Sequence, residues 1–358
     1  MRALDPALTA LRLALAMALA MALALALMPA LAAAFTIEEE TRFPAPGEEA
    51  AEVAILSTTD TAVLRPVIEA FQRRHPELAV RYVVAGSQEV FAAIDDEGAA
   101  FDLVISSAMD LQMKLANDGL ARPYRSAATD SLPGWAHWQD RLHAFAQENV
   151  VLIAAAAALA GGPPPQTRRD LIEMLRRAPE RFRGRIGTYD PELSGAGYLF
   201  ATQDARQSDS FWRLAEVMGG LSPSLYTSSN DMISDLLAGR IVLAYNVLGS
   251  YAEPRLAGAA DGRVIELEDY TLTLLRTGLV PVTAPNPALG GAFLDFMLSP
   301  EGRRLLREQA GLPPIDEAAL AARAHLRPMR LDPGLLVFLD RIKRRAFLEE
   351  WHSAIDQD

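Results

Sequence analysis

Four short stretches concentrate hydroxyls and lightly shielded backbone N–H groups: Ser57-Thr58-Thr59, Ser87 behind Gly86, Ser106-Ser107, and Ser194-Gly195-Ala196-Gly197. The first three follow an apolar run, the fourth follows a strand-like run and Asp190-Pro191-Glu192-Leu193, and each leads into residues with helical spacing. Hydroxyl protons and the free N–H groups of a helix start are donors, and the helix dipole adds positive potential there. Together they suit an anion. They are poor general acids or bases near neutral pH, so the pattern favours binding over catalysis. Taken singly, each stretch reads equally well as a helix cap, and a glycine-rich cap looks the same as Ser-Gly-Ala-Gly. Repetition at three successive strand ends is what favours a site.

Other chemistry is missing. There is no Gly-x-Ser-x-Gly elbow, phosphate-loop lysine motif or His-Glu-x-x-His, and Gly195-Ala196-Gly197 lacks the third glycine of a dinucleotide fingerprint. Asp95-Asp96 and Glu349-Glu350 read as solvated surface. With no cysteine and five scattered histidines (His75, His137, His143, His325, His352), no metal or cofactor is expected, and disulfides are excluded. A net charge of −12, from 46 acidic and 34 basic residues, argues against nucleic acid.

The elements that position these stretches can be read from periodicity. Val53–Leu56 is a buried strand, followed by a helix with Val63, Leu64, Val67, Ile68 and Phe71 on one side. Leu78–Ala85 is a second strand before a helix carrying Val90, Phe91 and Ile94. Asp102–Ile105 is a third, before a helix that stops at Gly119. This alternation predicts a parallel sheet with right-handed crossovers, whose ligands sit at the carboxyl ends of the strands. Further on come a strand at Arg185–Tyr189, another at Ile241–Tyr245, and Tyr251 shortly after. Tyr270–Val282 is strand-like, Asn286–Ser299 helical, and a last helix over Leu335–Trp351 carries Arg341, Lys343, Arg344 and Arg345, read as a solvated face. Residues 35–51, acidic and bearing proline, read as a flexible lead-in. Before them, Arg2 and Arg12, an apolar run from Leu13 to Met28 and small residues to Ala34 form a cleavable secretory signal peptide over residues 1–34. An uncleaved anchor is the alternative, since the run is nearly long enough to span a bilayer. The mature protein is expected in the periplasm.

The stretches LSTTD, FDLVISSAMDLQMKLANDG, YDPELSGAGYLF, AYNVLGSYA and APNPALGGAFLDFMLSPEGRRLL, behind an export signal, resemble extracellular solute-binding proteins of bacterial ABC transporters. The likeness covers most of the mature chain. It lies in the ferric-ion and phosphorylated-solute branch of the type 2 periplasmic binding fold, and within that branch the chain is similar to phosphoglycerate-transport regulatory binding proteins. The resemblance implies an α/β protein of two lobes with two hinge crossovers, near Glu148–Ile153 and Tyr270–Arg276. Lobe 1 would hold residues 52–150 and 269–358, and lobe 2 residues 151–268. It implies no enzyme, but a monomer that captures a phosphate-, phosphonate- or carboxylate-bearing solute for an ABC transporter permease. Ser57, Thr58, Thr59, Ser87, Ser106, Ser107, Ser194, Gly195 and Gly197 would donate, Tyr245 and Tyr251 close over the ligand, and Arg276 neutralise charge from the hinge. Iron-binding relatives place two adjacent tyrosines near Tyr245. Here Tyr245-Asn246-Val247 breaks the pair and favours an organic anion over ferric ion. The alternative role is signalling, with the ligand-bound form presented to a membrane sensor kinase through the basic helix Leu335–Trp351.

Overall fold

β1 (Glu39–Phe43), β2 (Ala51–Ser57), β3 (Leu78–Val84) and β4 (Leu103–Ser106) open the sheet in the computed structural model, which describes residues 35–257 and 262–357. The leader expected over residues 1–34 lies outside the described residues. β2 lies between β3 and β4 and runs parallel to both, as the alternation of strands and helices requires. Helices Thr61–Arg74 and Ser87–Asp95 make the crossovers.

β1 corrects the expectation of a flexible lead-in over residues 35–51. It pairs antiparallel with β3 at the sheet edge. Arg42 is ion-paired with Glu49 and Glu52, and the Gln72 amide donates to the carbonyl oxygens of Phe43 and Pro44. Charged side chains on an edge strand mask its β pattern, and they are what keeps such an edge from pairing with another chain.

β5 (His137–Trp138) pairs with the start of β6 (Leu142–Ala155). The sheet then continues through β7 (Ile186–Tyr189), β8 (Ser224–Tyr226), β9 (Leu243–Leu248) and β10 (Gly262–Ile265). β11 (Thr271–Leu279) runs antiparallel to both β4 and β6, and β12 (Leu326–Pro328) lies parallel to β11. The order is β1-β3-β2-β4-β11-β6-β9-β7-β8.

Two hydrophobic cores flank this sheet. The first gathers Ile55, Leu64, Phe71 and Phe293, with the Phe71 ring edge-on to Phe293 at 5.0 Å. The second gathers Phe182, Tyr198, Phe211 and Trp351. β6 joins them, placing Phe145 and Ala146 in the first and Leu152 and Ala154 in the second. β11 lies beside it, with Thr273 opposite Asn149 and Leu274 opposite Glu148.

The last segment departs from expectation twice. Leu335–Trp351 is not one helix. A 3-10 turn over Pro333–Leu339 ends at Asp340, whose carboxylate accepts from the N–H groups of Ile342 and Lys343 and starts a new helix, Arg341–Ile355. Nor does this helix stay with the first core, as the boundary 269–358 required. Phe347, Leu348, Trp351, Ala354 and Ile355 pack in the second core, where Trp351 stacks on Phe211 at 6.1 Å. Gly219 allows the docking, since a Cβ there would lie 2.1 Å from the Ala354 carbonyl oxygen. Arg341, Lys343 and Arg345 remain on the exposed face. No helix among the described residues is long and apolar enough to cross a membrane.

Candidate functional site

β2, β3 and β4 end at the same edge of the sheet, and the chain passes from each into a helix. The starts of these helices meet others from the second half around a cavity of about 230 Å³. Asp60, Gly86, Ser194, Ser228 and Leu248 all line it, and each is the N-cap of a helix of eight or more residues. Five positive helix ends therefore open on one space.

Four hydroxyls on the wall have their oxygens already engaged. Thr58 Oγ1 accepts from Ser107 N–H (3.1 Å), Ser87 Oγ from Ala196 N–H (3.2 Å), Ser194 Oγ from Gly197 N–H (3.1 Å), and the Tyr251 hydroxyl from Asp60 N–H (3.3 Å). A hydroxyl carries one proton; Ser87, Ser194 and Tyr251 still have theirs to give, and Thr58 Oγ1 lies 3.5 Å from Ser107 Oγ, where either can donate. Two of the bonds join the halves of the molecule. Asn230 Nδ2 to Asp60 Oδ2 (3.1 Å) and Gln88 Nε2 to the Glu192 carbonyl (2.8 Å) do the same. The cleft is held closed.

Of the residues expected to bind, Thr58, Ser87, Ser107, Ser194 and Tyr251 line the cavity. Ser57, Thr59, Ser106, Gly195, Gly197, Tyr245 and Arg276 do not. Ser57 Oγ accepts from Thr59 N–H (2.9 Å) and Ser106 Oγ from Ala108 N–H (3.1 Å), so these two buried hydroxyls tie the turns that aim their neighbours. Gly195 and Gly197 serve close approach, because a Cβ on either would lie 2.6 Å from Leu111 or Tyr189.

Tyr245 faces away from the cleft. Its hydroxyl accepts from Arg168 Nε (2.7 Å) and donates to Asp204 Oδ2 (2.8 Å) inside the second core. Burial there raises its pKa well above the ordinary phenol value. Closing over a ligand is not open to it.

Arg276 lies directly behind the wall, fully buried. Nε donates to Glu148 Oε1 and Nη1 to Thr59 Oγ1, both at 2.5 Å, and the guanidinium sits 5.7 Å from the Tyr251 ring centroid. Nη2 has no partner among the described residues. Desolvation works against its charge, but Glu148 and the surrounding tyrosines outweigh it and keep the group cationic.

Sequence reasoning missed Glu38, Asp60 and the run Ser228-Ser229-Asn230-Asp231, all of which line the cavity. A signal was present in the last. Ser228 followed three residues later by Asp231 is a capping pattern, and Ser228 Oγ does accept from Asp231 N–H at 3.1 Å. Glu38 had none, since it lies in the stretch taken as a lead-in.

A family model described as bacterial extracellular solute-binding protein matches residues 53–311. The chain belongs to that family. The substrate-binding protein of the ABC transporter from Agrobacterium tumefaciens is 34% identical and superposes with a TM-score of 0.85, over 89% of this chain and 99% of its own. AfuA from Actinobacillus pleuropneumoniae, with fructose-6-phosphate bound, has a TM-score of 0.71 at 16% identity, over 87% of this chain and 100% of its own. Iron-bound HitA from Pseudomonas aeruginosa has 0.67 at 18%, over 85% and 99%. At those identities the last two speak for the fold alone. No curated protein matches the chain. This solute-binding protein is thus the binding component of an ABC transporter, with the two-lobed type 2 fold.

Proposed function

We propose that this solute-binding protein captures a small anionic organic solute in the periplasm and hands it to the permease of an ABC importer. The observation that carries the anion is the convergence of five helix N-caps on one cavity, with the hydroxyls of Ser87, Ser194 and Tyr251 on its wall accepting and still able to donate. Backbone donors and helix dipoles bind a negative group without a cation on the wall. Arg276 adds a positive charge one layer back, with Nη2 unspent. Thr59 and Tyr251 place it where the wall must yield for an anionic oxygen to reach it.

A thermal-shift screen of the mature protein tests this, using phosphorylated three-carbon acids, phosphonates, sugar phosphates, dicarboxylates and ferric ion. An anion at about 100 times its Kd should stabilise the protein by roughly 2.7 kcal/mol. Arg276→Lys keeps the charge but loses the planar fork, and should weaken that anion by about ten- to a hundred-fold. A response to ferric ion alone would sink the reading.

A further inference from the structure

We infer that Glu148 is a positioning residue of the solute site: without lining the cavity, it sets the charge and the free nitrogen that Arg276 offers behind the wall. This rests on the anion reading above and adds the residue that tunes it. Glu148 stands on β6 between Ala146, in the first core, and Leu152, in the second. It is 4% exposed and is not among the residues around the cavity. Its two oxygens serve different sides of the wall. Oε1 accepts from Arg276 Nε and Oε2 from the Ser250 hydroxyl, both at 2.5 Å. Arg276 leads on to Thr59 Oγ1, beside Thr58 of the wall, and Ser250 is the neighbour of Tyr251, also of the wall. The bonds that start at one buried carboxylate thus end one residue short of the cavity on each side.

An ion pair that served packing alone would be built otherwise. A carboxylate and a guanidinium meet best as a fork, two parallel bonds that use both oxygens and two nitrogens. Nε and Nη2 form one edge of the guanidinium, so the second oxygen on Nε's partner is what would ordinarily take Nη2. Here Ser250 holds that oxygen. The fork is forgone, and Nη2 is left without a partner among the described residues. The far end of Arg276 is fixed. Thr59 N–H donates to Ser57 Oγ (2.9 Å) and the Thr59 carbonyl accepts from the Tyr82 hydroxyl (2.8 Å), so Nη1 is held from a tied turn. β11 carries the backbone of Arg276 beside β6, with Leu274 opposite Glu148. What can vary is how Glu148 is shared between Arg276 and Ser250.

Two substitutions pull on this sharing in opposite directions. Glu148→Gln keeps the shape but removes the charge that offsets Arg276. The guanidinium then stands uncompensated behind the wall and draws an anion more strongly, while the solute-free protein loses a buried ion pair. Ser250→Ala releases Oε2 to close the fork on Nη2, and so takes away the donor that was free. Neither residue lines the cavity, so a change of affinity has to travel through Arg276.

The test is calorimetry on the mature protein and both variants with fructose-6-phosphate, 3-phosphoglycerate, methylphosphonate and succinate. For whichever of these binds, Glu148→Gln should tighten it about three- to ten-fold while lowering the melting temperature of the solute-free protein. Ser250→Ala should weaken it about three- to ten-fold with little change in melting temperature. In Arg276→Lys, which has no fork to close, adding Ser250→Ala should make no further difference. A merely structural role would cost affinity in both single variants or in neither. Unless the two move affinity in opposite directions, the inference is overturned and anion capture stands. Should Glu148→Gln fail to fold, Ser250→Ala decides alone, and an unchanged affinity overturns it. If none of the four anions binds, both readings fall.

Discussion

Two arginines are buried among the described residues, and they are buried differently. Arg168, in the second core, has a partner for every nitrogen. Nε donates to the Tyr245 hydroxyl (2.7 Å), Nη1 to Asp269 Oδ1 (3.1 Å) and the Tyr270 carbonyl (2.7 Å), and Nη2 to Asp204 Oδ1 (3.0 Å). Its guanidinium also lies 3.4 Å from the Tyr270 ring centroid. Arg276, between the cores, is equally hidden yet leaves Nη2 unsatisfied. A buried charge is tolerated when it is fully paired, and an incomplete set is costly unless something else completes it. Burial alone does not separate framework from function; the missing partner does. Asp204 shows the framework side from the opposite end. It is fully buried, and its two oxygens accept from Arg168, Tyr245 and Asn246.

The largest effect that could break this contrast is at Arg168. Arg168→Met removes one member of a closed network and leaves Asp204 charged and buried without its cation, so it should cost about 3–5 kcal/mol of stability. Urea unfolding measures this. Ligand affinity of the folded fraction should stay as it was, unlike the outcome expected for Arg276→Lys. If Arg168→Met weakens the ligand as much as Arg276→Lys does, the division between framework and site is wrong.

Asp110 sharpens the comparison, because it too lacks a partner but stands outside the cleft. It occupies the first turn of the helix Met109–Asn117, is 2% exposed, and its Oδ1 is unpaired. Burial pushes its pKa up to about 7, against weaker opposing help from local backbone N–H groups and Arg344. A carboxyl raised on folding contributes stability that is complete below the ordinary carboxylate range and is lost as pH climbs from about 4 to about 7. His143 works the other way. Burial holds it down to about 4, so its contribution is lost as pH falls from 6.5 to about 4. Asp110→Asn removes only the first slope. A tenfold change in proton affinity is worth about 1.4 kcal/mol, so the variant should gain roughly 2–4 kcal/mol over the wild type at pH 8. Ligand affinity should not change. Denaturation curves from pH 4 to 8 would decide it, and an unchanged slope would show that Asp110 finds a partner in solution.

Much of this was legible in the chain. Val53–Leu56 announces a strand by its unbroken apolar character and Leu78–Ala85 by its alternation, and the hydroxyls after them fall where parallel strands deliver ligands. What was not legible depends on contacts between distant residues. β1 hides behind its charges, and the last helix chooses the second core through Gly219 and Phe211, about 140 residues away from the side chains they meet. The hydroxyl stretches themselves divide in a way that spacing cannot foretell. In Ser57-Thr58-Thr59 the first closes the turn, the second faces the cavity and the third holds Arg276.

Tyr245 and Tyr251 provide the smallest and most discriminating comparison. They are six positions apart, Tyr245 buried and Tyr251 half-buried, and both were expected over the ligand. Tyr245 completes the Arg168 network, whereas the Tyr251 hydroxyl reaches from the second half to Asp60 N–H and lines the cavity. Replacing each by phenylalanine removes one oxygen and keeps the ring. Tyr245→Phe leaves Arg168 Nε without a partner and Asp204 Oδ2 with Asn246 alone, so it should cost about 1–3 kcal/mol of stability and nothing in affinity. Tyr251→Phe loses a bond that exists only when the cleft is closed, at 3.3 Å and near the surface of the cavity. Its stability should change by less than about 1 kcal/mol, while the ligand weakens about three- to ten-fold because closure and a donor are lost together. Measuring unfolding and binding on both variants gives four numbers, and the expected pattern is a crossed one. Parallel losses in the two proteins would mean that the hydroxyls play the same part, and the distinction drawn from the two arginines would not hold.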